Sequence, residues 1–259
     1  MIKIEALRAG YGSKEVLRGI NLEIASGEFI GILGPNACGK STLVKAISGV
    51  ISPTDGNIYL NGGRISEIPP LELAKLVAVI PQSTEIPFPF TGEELVSMGR
   101  FPHTGRFSAL SESDVKHIQK ALEETDTVAL SGRLVTEISG GERQRLILAR
   151  ALAQQTPVLI MDEGTAAMDA HRKIDAFDLL RRKNREGMTV ICVMHDLNLA
   201  ALYCDRLIFM KEGEIAKDGP TGEVFSRETI EAVYKTRVEI FAHPRIDRPQ
   251  AVFIPEALE

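Results

Sequence analysis

The stretch Gly34 to Thr42, GPNACGKST, follows the apolar run Phe29 to Leu33 and leads into KSTLVKAIS, whose apolar residues have helical spacing and stop at Gly49. No other feature limits the possible folds so tightly. A glycine-rich loop set between a buried strand and a helix belongs to an α/β sheet, because the chain must leave a hydrogen-bonded strand and open a helix within a few residues. The glycines let backbone N–H groups turn inward around phosphate oxygens, and the helix start adds partial positive charge. At this spacing Lys40 neutralises β- and γ-phosphates and Ser41 offers a hydroxyl to magnesium, with Thr42 in support.

The rest of the chain continues the pattern. PVLIMDE and MTVICVMH read as buried parallel strands, with the amphipathic HRKIDAFDLLRRKNREG between them. In the first third, IKIEAL, INLEIASGEFIGILG and GNIYLNGG are punctuated by Ser26-Gly27 and Asn61-Gly62, which predicts a strand-rich start. After LVAVIPQ the texture changes to a loop with Pro87, Pro89 and Gly92, then polar amphipathic segments at Glu93 to Met98 and Glu112 to Glu124. Residues 83–156 are therefore expected as a helical insertion into a core formed by 1–82 and 157–218. In the remaining segment, 219–259, TGEVFSRETIEAVY predicts one helix, and VEIFAHP and PQAVFIP predict short strands.

Candidate chemistry gathers at predicted strand ends. Asp162 and Glu163 close one strand, where a first carboxylate reaches magnesium and a second activates an attacking water. His195 closes the next, at the edge where open α/β sheets bind ligands. Gln82 closes another, its amide suited either to metal and water or to a simple turn. Tyr11, before Gly12, either stacks on a base or packs in the core. A second glycine turn, Ser139-Gly140-Gly141, opens the helix ERQRLILARALAQQ and makes an anion site suited to a γ-phosphate, although an ordinary turn of this kind looks similar. One nucleotide needs one cradle. Two chains arranged head to tail, each loop facing the other's turn, resolve the surplus.

Composition narrows the classes. With 30 basic against 35 acidic residues, net -5, the chain lacks the basic excess of a protein that coats nucleic acid. Cys38, Cys192 and Cys204 show no metal-ligand spacing and suit a reducing compartment. The start MIKIEALRAG lacks the pattern of a secretory signal, and no stretch approaches the roughly 18 apolar residues that cross a bilayer.

Taken in order, GPNACGKST, VIPQ, ISGGERQR, LIMDEGTAAMD and VMHD resemble the ATP-binding subunit of ABC transporters over roughly Met1 to Asp218. The resemblance implies an α/β fold: a P-loop NTPase (RecA-like) core, an N-terminal antiparallel β-subdomain and an inserted helical subdomain. It places Tyr11 on adenine and Gly34, Pro35, Asn36, Ala37, Cys38, Gly39, Lys40, Ser41 and Thr42 on the phosphates. Ser41, Gln82 and Asp162 lie around magnesium, and Glu163 is the general base. His195 sits on the γ-phosphate and water, with Ser139, Gly140, Gly141, Glu142 and Asp169 acting across a homodimer with ATP at its interface. Two departures stand out: Gly164 replaces a usual proline, loosening the turn after Glu163, and Glu142 replaces a commoner glutamine. Cys38 occupies a position of small residues, so a redox role is not expected. VSMGRFPHTGRF and TGEVFSRETIEAVY further resemble the subgroup that energises import of iron-siderophore complexes, haem and cobalamin. That implies two transmembrane permease subunits, an extracytoplasmic substrate-binding protein, no nucleic acid, and a peripheral place on the cytoplasmic face of the membrane. Phe88, Phe90, Phe101 and Phe107 form either a docking groove for a permease helix or the core of the insertion. The rival reading is a soluble ABC-type ATPase acting on nucleic acid or ribosomes, whose long coiled-coil insertion or tandem cassette this chain lacks.

Overall fold

The computed structural model describes residues 2–82, 86–104, 109–165 and 167–255. The chain divides into two compact units, Met1–Ile68 with Val190–Glu259, and Pro69–Thr189. Chain order runs through β1 (Ile2–Tyr11), β2 (Lys14–Ile24), β3 (Phe29–Leu33), α1 (Lys40–Ile47), β4 (Asp55–Leu60) and β5 (Gly63–Arg64) of the first unit. The second unit follows with α2 (Pro70–Leu76), β6 (Val77–Ile80), α3 (Gly92–Ser97), α4 (Glu112–Glu124), α5 (Gly140–Ala153), β7 (Val158–Asp162) and α6 (Ala170–Arg185). The chain then returns to the first unit through β8 (Thr189–Val193), α7 (Leu197–Tyr203), β9 (Arg206–Lys211), β10 (Glu214–Pro220), α8 (Thr221–Val224), α9 (Arg227–Tyr234), β11 (Val238–Ala242) and β12 (Pro249–Phe253).

In the first unit β2, β1, β4 and β5 make an antiparallel sheet. Alternation sets its faces on either side of a bulge at Ala6 (φ 46), which shifts the register so that Ile2 and Ile4 before it and Leu7 and Ala9 after it are all buried. Asn61 and Gly62, both with positive φ, turn β4 into β5 as the Asn-Gly pair predicts. β3 runs parallel to both β8 and β9, and all five of its residues are buried. That is the setting a continuous apolar run requires. α1 stops where Ser48 and Gly49 donate back to Val44 and Ala46, with Gly49 at φ 72.

In the second unit β6 and β7 pair in parallel, and α3, α4 and α5 pack on one another. Three capping boxes start these helices, Thr91 with Glu94, Ser111 with Asp114 and Ser139 with Glu142. Asp114 also accepts a 2.8 Å bond from Arg100, whose other arm reaches the Ala153 carbonyl at the end of α5. Bonds from the Ser111 hydroxyl and from Arg100 hold the Asp114 carboxyl down at about 2.

Two expectations change. The predicted helix of the extension is split into α8 and α9, because Ser226 leaves helical geometry and caps α9 through the Thr229 N–H. Strand pairing also ends earlier than the apolar runs do: β6 stops at Ile80 and β8 at Val193, so Gln82 and His195 sit two residues beyond their strands. Among the described residues, no helix is long and apolar enough to cross a membrane.

Candidate functional site

In the first unit, the loop after β3 is built around positive φ at Gly34 (150), Ala37 (62) and Gly39 (110). Side chains are excluded where the loop is tightest: a Cβ at Gly34 would strike the Met210 carbonyl oxygen, and one at Gly39 would lie 2.8 Å from Leu17 Cδ2. α1 starts without any side-chain cap, whereas α4, α5, α6 and α9 are all capped by their own Ser or Asp. An uncapped helix start leaves N–H groups aimed at an outside acceptor, so the loop fits a phosphate. Lys40 is buried, and its ammonium donates to Gly34 O at 2.8 Å and Pro35 O at 3.0 Å, with a third, longer contact to Cys38 Sγ at 3.9 Å. Asn36 and Ala37 are exposed at the rim, Pro35 and Ser41 half-buried, and Cys38, Gly39 and Thr42 buried. Burial pushes the Cys38 thiol up, against the opposing pull of Lys40.

Tyr11, at the end of β1, is 47% exposed, and Lys45 of α1 lies 5.4 Å from its ring centroid. The core alternative is therefore excluded, and one ring face is open to stacking. Lys45 was not singled out in the sequence; only folding brings α1 beside β1. His195 is exposed just past β8, before Asp196, which caps α7.

In the second unit, Gln82 Nε2 donates to Glu163 Oε2 at 2.8 Å across 81 residues of sequence. Glu163 has φ 54, a left-handed backbone that costs a non-glycine residue roughly 1–2 kcal/mol and concentrates at functional turns. Asp162 is buried at the last position of β7. The side chains expected around magnesium, Ser41, Gln82 and Asp162, all carry oxygen donors, which suits a hard cation. Among the described residues no group of three His, Cys, Asp or Glu side chains forms a metal cage.

At the second glycine turn, Ser139 Oγ accepts from Glu142 N–H, and the Glu142 carboxylate accepts in return from Ser139 N–H at 2.8 Å and from Ser139 O–H at 2.7 Å. These bonds pull the Glu142 pKa down. The glycines allow a close neighbour: a Cβ at Gly141 would stand 3.3 Å from the Ala167 carbonyl oxygen, and one at Gly140 3.4 Å from the Ala167 methyl. Gln144 fixes that segment by accepting from Ala167 N–H at 3.0 Å. Gln82, Gly140, Arg143, Gly164 and Ala167 line one cleft of about 170 Å³. Asp169 is exposed and caps α6 through Arg172 N–H. Phe88 and Phe101 are 62% and 67% exposed, and Phe90 lies half-buried at 5.9 Å from Phe88, so the aromatic group is a surface rather than a core. Phe107 lies outside the described residues.

Residues 17–166 match the family model for ABC transporters. Over 249 residues the chain is 38% identical to the iron(3+)-hydroxamate import ATP-binding protein FhuC of Bacillus subtilis, covering 96% of this chain and 93% of that protein. It is 41% identical over 239 residues to the hemin import ATP-binding protein HmuV of Streptomyces coelicolor, covering 92% and 85%. With the uncharacterized ABC transporter ATP-binding protein YvrA of Bacillus subtilis it shares 40% identity over 257 residues, 98% of this chain but 58% of that protein's length. Among solved structures, an inward-facing metal-chelate type ABC transporter superposes with TM-score 0.86 over 100% of this chain and 98% of that one, and at 24% identity shows the fold. The dimeric post-hydrolysis cassette MJ0796, bound to ADP and Pi, superposes with TM-score 0.74 at 28% identity, over 85% of this chain and 98% of that one.

Proposed function

The chain belongs to the ABC transporter family of ATP-binding proteins, and we propose that it is the ATPase subunit of an importer for iron-siderophore, haem or cobalamin-type metal chelates. The observation that carries the nucleotide site is the uncapped start of α1 around the buried Lys40. Triphosphate oxygens accept from the loop N–H groups and from the Lys40 ammonium, whose weak contact to Cys38 Sγ is the easiest to exchange, and adenine stacks on the open face of Tyr11. Glu163 takes the proton of the attacking water, Gln82 orients that carboxylate, and His195 steadies the γ-phosphate. Magnesium, when bound, neutralises phosphate charge; Ser41 Oγ, the Asp162 carboxylate and the Gln82 carbonyl oxygen, left over after its amide serves Glu163, are the donors that would hold it.

Two copies sandwich two nucleotides, and Ser139, Gly140, Gly141, Glu142 and Asp169 of each complete the other's site. The dimeric form of the MJ0796 cassette supports this arrangement. ATP draws the copies together and hydrolysis releases them, which drives two attached permease subunits between their states. The exposed Phe88 and Phe101 offer the permease an aromatic docking surface on the cytoplasmic side of the membrane. An extracytoplasmic binding protein delivers the cargo, and the named cargo of the hydroxamate and hemin relatives supports its class.

The test is co-expression with a candidate many-spanning permease, extraction in detergent and purification on a tag carried by this chain. A stoichiometric hydrophobic partner and magnesium-dependent ATPase activity are expected. Recovery with ribosomes or nucleic acid instead, and no permease, overturns the transport reading in favour of a soluble ATPase.

A further inference from the structure

Between α3 and α4 the chain winds as a short 3₁₀ helix, Met98–His103, whose residues divide by direction. Met98 and Phe101 are 40% and 67% exposed, while Gly99, Arg100 and Pro102 are buried. The inward side meets the last turn of α5. A Cβ at Gly99 would strike the Arg150 carbonyl oxygen, so the absence of a side chain there lets the two backbones touch. Arg100 donates to Ala153 O at 2.7 Å, and His103 Nε2 donates to Gln154 O at 2.8 Å.

The last carbonyls of a helix have no partners within it. Those of Ala153, the final residue of α5, and of Gln154, its cap, are therefore closed by two side chains of one six-residue segment, and Arg100 places a cation at the negative end of the helix. The joint has little slack. Arg100 is also held by Asp114 at 2.8 Å, and the Gln154 amide donates to Ala74 O and, at 3.2 Å, to Val77 O. The opposite end of α5 is the second glycine turn, fixed by its capping box. Fourteen residues, about 21 Å of helix, join the two ends, and a packed helix does not shorten under load.

We propose that Arg100 and His103 are positioning residues that couple the permease-docking surface to the second glycine turn, gripping α5 by its carboxyl end so that Phe101 and Ser139-Gly140-Gly141 move as one part. This rests on the reading of Phe101 as part of the docking surface. A displacement imposed by the permease at Phe101 then reaches the turn that closes on the facing copy's nucleotide. His103 is the residue to perturb, because it is exposed, whereas loss of Arg100 would leave Asp114 buried and unpaired.

The test compares wild type, His103→Ala, His103→Gln and Phe101→Ala, each purified alone and with the candidate permease, by ATPase assay, thermal melt and permease stoichiometry. His103→Ala is expected to match wild type in melting temperature, in hydrolysis by the isolated chain and in the amount of permease recovered. Its kcat in the complex should fall about two- to tenfold, the worth of one hydrogen bond. His103→Gln, whose amide also donates, should restore that rate. Phe101→Ala should recover less permease. Wild-type kcat for His103→Ala in the complex overturns the proposal. So does a loss shared equally by the isolated chain, or one that His103→Gln leaves unrepaired. If wild type recovers no permease, or Phe101→Ala recovers as much as wild type, the docking reading falls and takes this one with it. If Phe101→Ala loses the permease while His103→Ala matches wild type throughout, only the coupling role falls.

Discussion

Replacing Gly164 by alanine tests how tightly the turn after Glu163 is seated. A Cβ at Gly164 would lie 2.5 Å from Ile80 Cγ2 and 2.9 Å from Met161 Cγ, so close to an ångström of relief is needed before the first contact reaches the ordinary 3.4 Å. Ile80 cannot supply it cheaply. Its Cγ2 branches directly from Cβ, the residue is 2% exposed, and its backbone is paired with Met161 at the end of β6. Overpacking of this kind costs about 1–3 kcal/mol. The exposed side of the turn is the softer one, so part of the strain moves Glu163, and a misplacement of about 1 Å at a reacting group costs on the order of 10²-fold in rate. Steady-state ATPase assays should show kcat down by about 10- to 100-fold with KM for ATP little changed, because the loop around Lys40 is untouched. The melting temperature should fall by a few degrees, at about 2–4 °C per kcal/mol for a chain of this size. Ile80→Ala alone opens a cavity costing about 2–5 kcal/mol. In the double variant the new methyl fills part of that cavity, so the two losses should not add. Wild-type kcat and melting temperature in Gly164→Ala, or strictly additive losses in the double variant, would refute this reasoning. It also follows that the proline common at this position in the family, which carries the same Cβ, does not fit here while Ile80 remains.

Glu163→Gln should retain ATP binding, lose about 10²- to 10⁴-fold in hydrolysis and accumulate as a dimer with ATP on size exclusion; normal turnover would remove Glu163 as the base. Asp114→Ala leaves Arg100 buried without its carboxylate and should cost about 3–5 kcal/mol in urea unfolding, since both side chains are nearly inaccessible. The Asp114 pKa is depressed from 3.8 to about 2, so its contribution is complete above pH 4 and is lost as pH falls through 2. Asp114→Asn should therefore flatten stability over that interval, and an acid limb identical to wild type would contradict the assignment. Cys38 is buried with a raised pKa, so peroxide should leave ATPase activity unchanged in both wild type and Cys38→Ser; a loss confined to wild type would establish a redox role.

Local chemistry was legible and tertiary chemistry was not. The span of α4 follows from its amphipathic spacing, and the glycines of the phosphate loop follow from backbone sterics alone, whereas the three capping boxes were not singled out in the sequence although their partners lie within one turn of each other. The α/β layout follows from the unbroken apolar runs of β3, β7 and β8. The contacts of Gln82 with Glu163, Lys45 with Tyr11 and Arg100 with Asp114 depend on which elements fold together, and no spacing in the sequence encodes them. Apolarity also fails to separate an outward aromatic from a core one, which is why Phe88 and Phe101 could be placed only by their exposure. The break before α9 was hidden because TGEVFSRETIEAVY keeps helical spacing straight through Ser226.

The bonds between Ser139 and Glu142 give the second glycine turn a double character. Its shape is set in advance, so a phosphate from the facing copy has little ordering left to impose. A fixed anion, Glu142, nevertheless stands beside the point where that phosphate would arrive. In the proposed dimer, attraction from the helix start and repulsion from the acid would oppose each other at one address, so the grip on that phosphate would be weaker than the helix start alone could give.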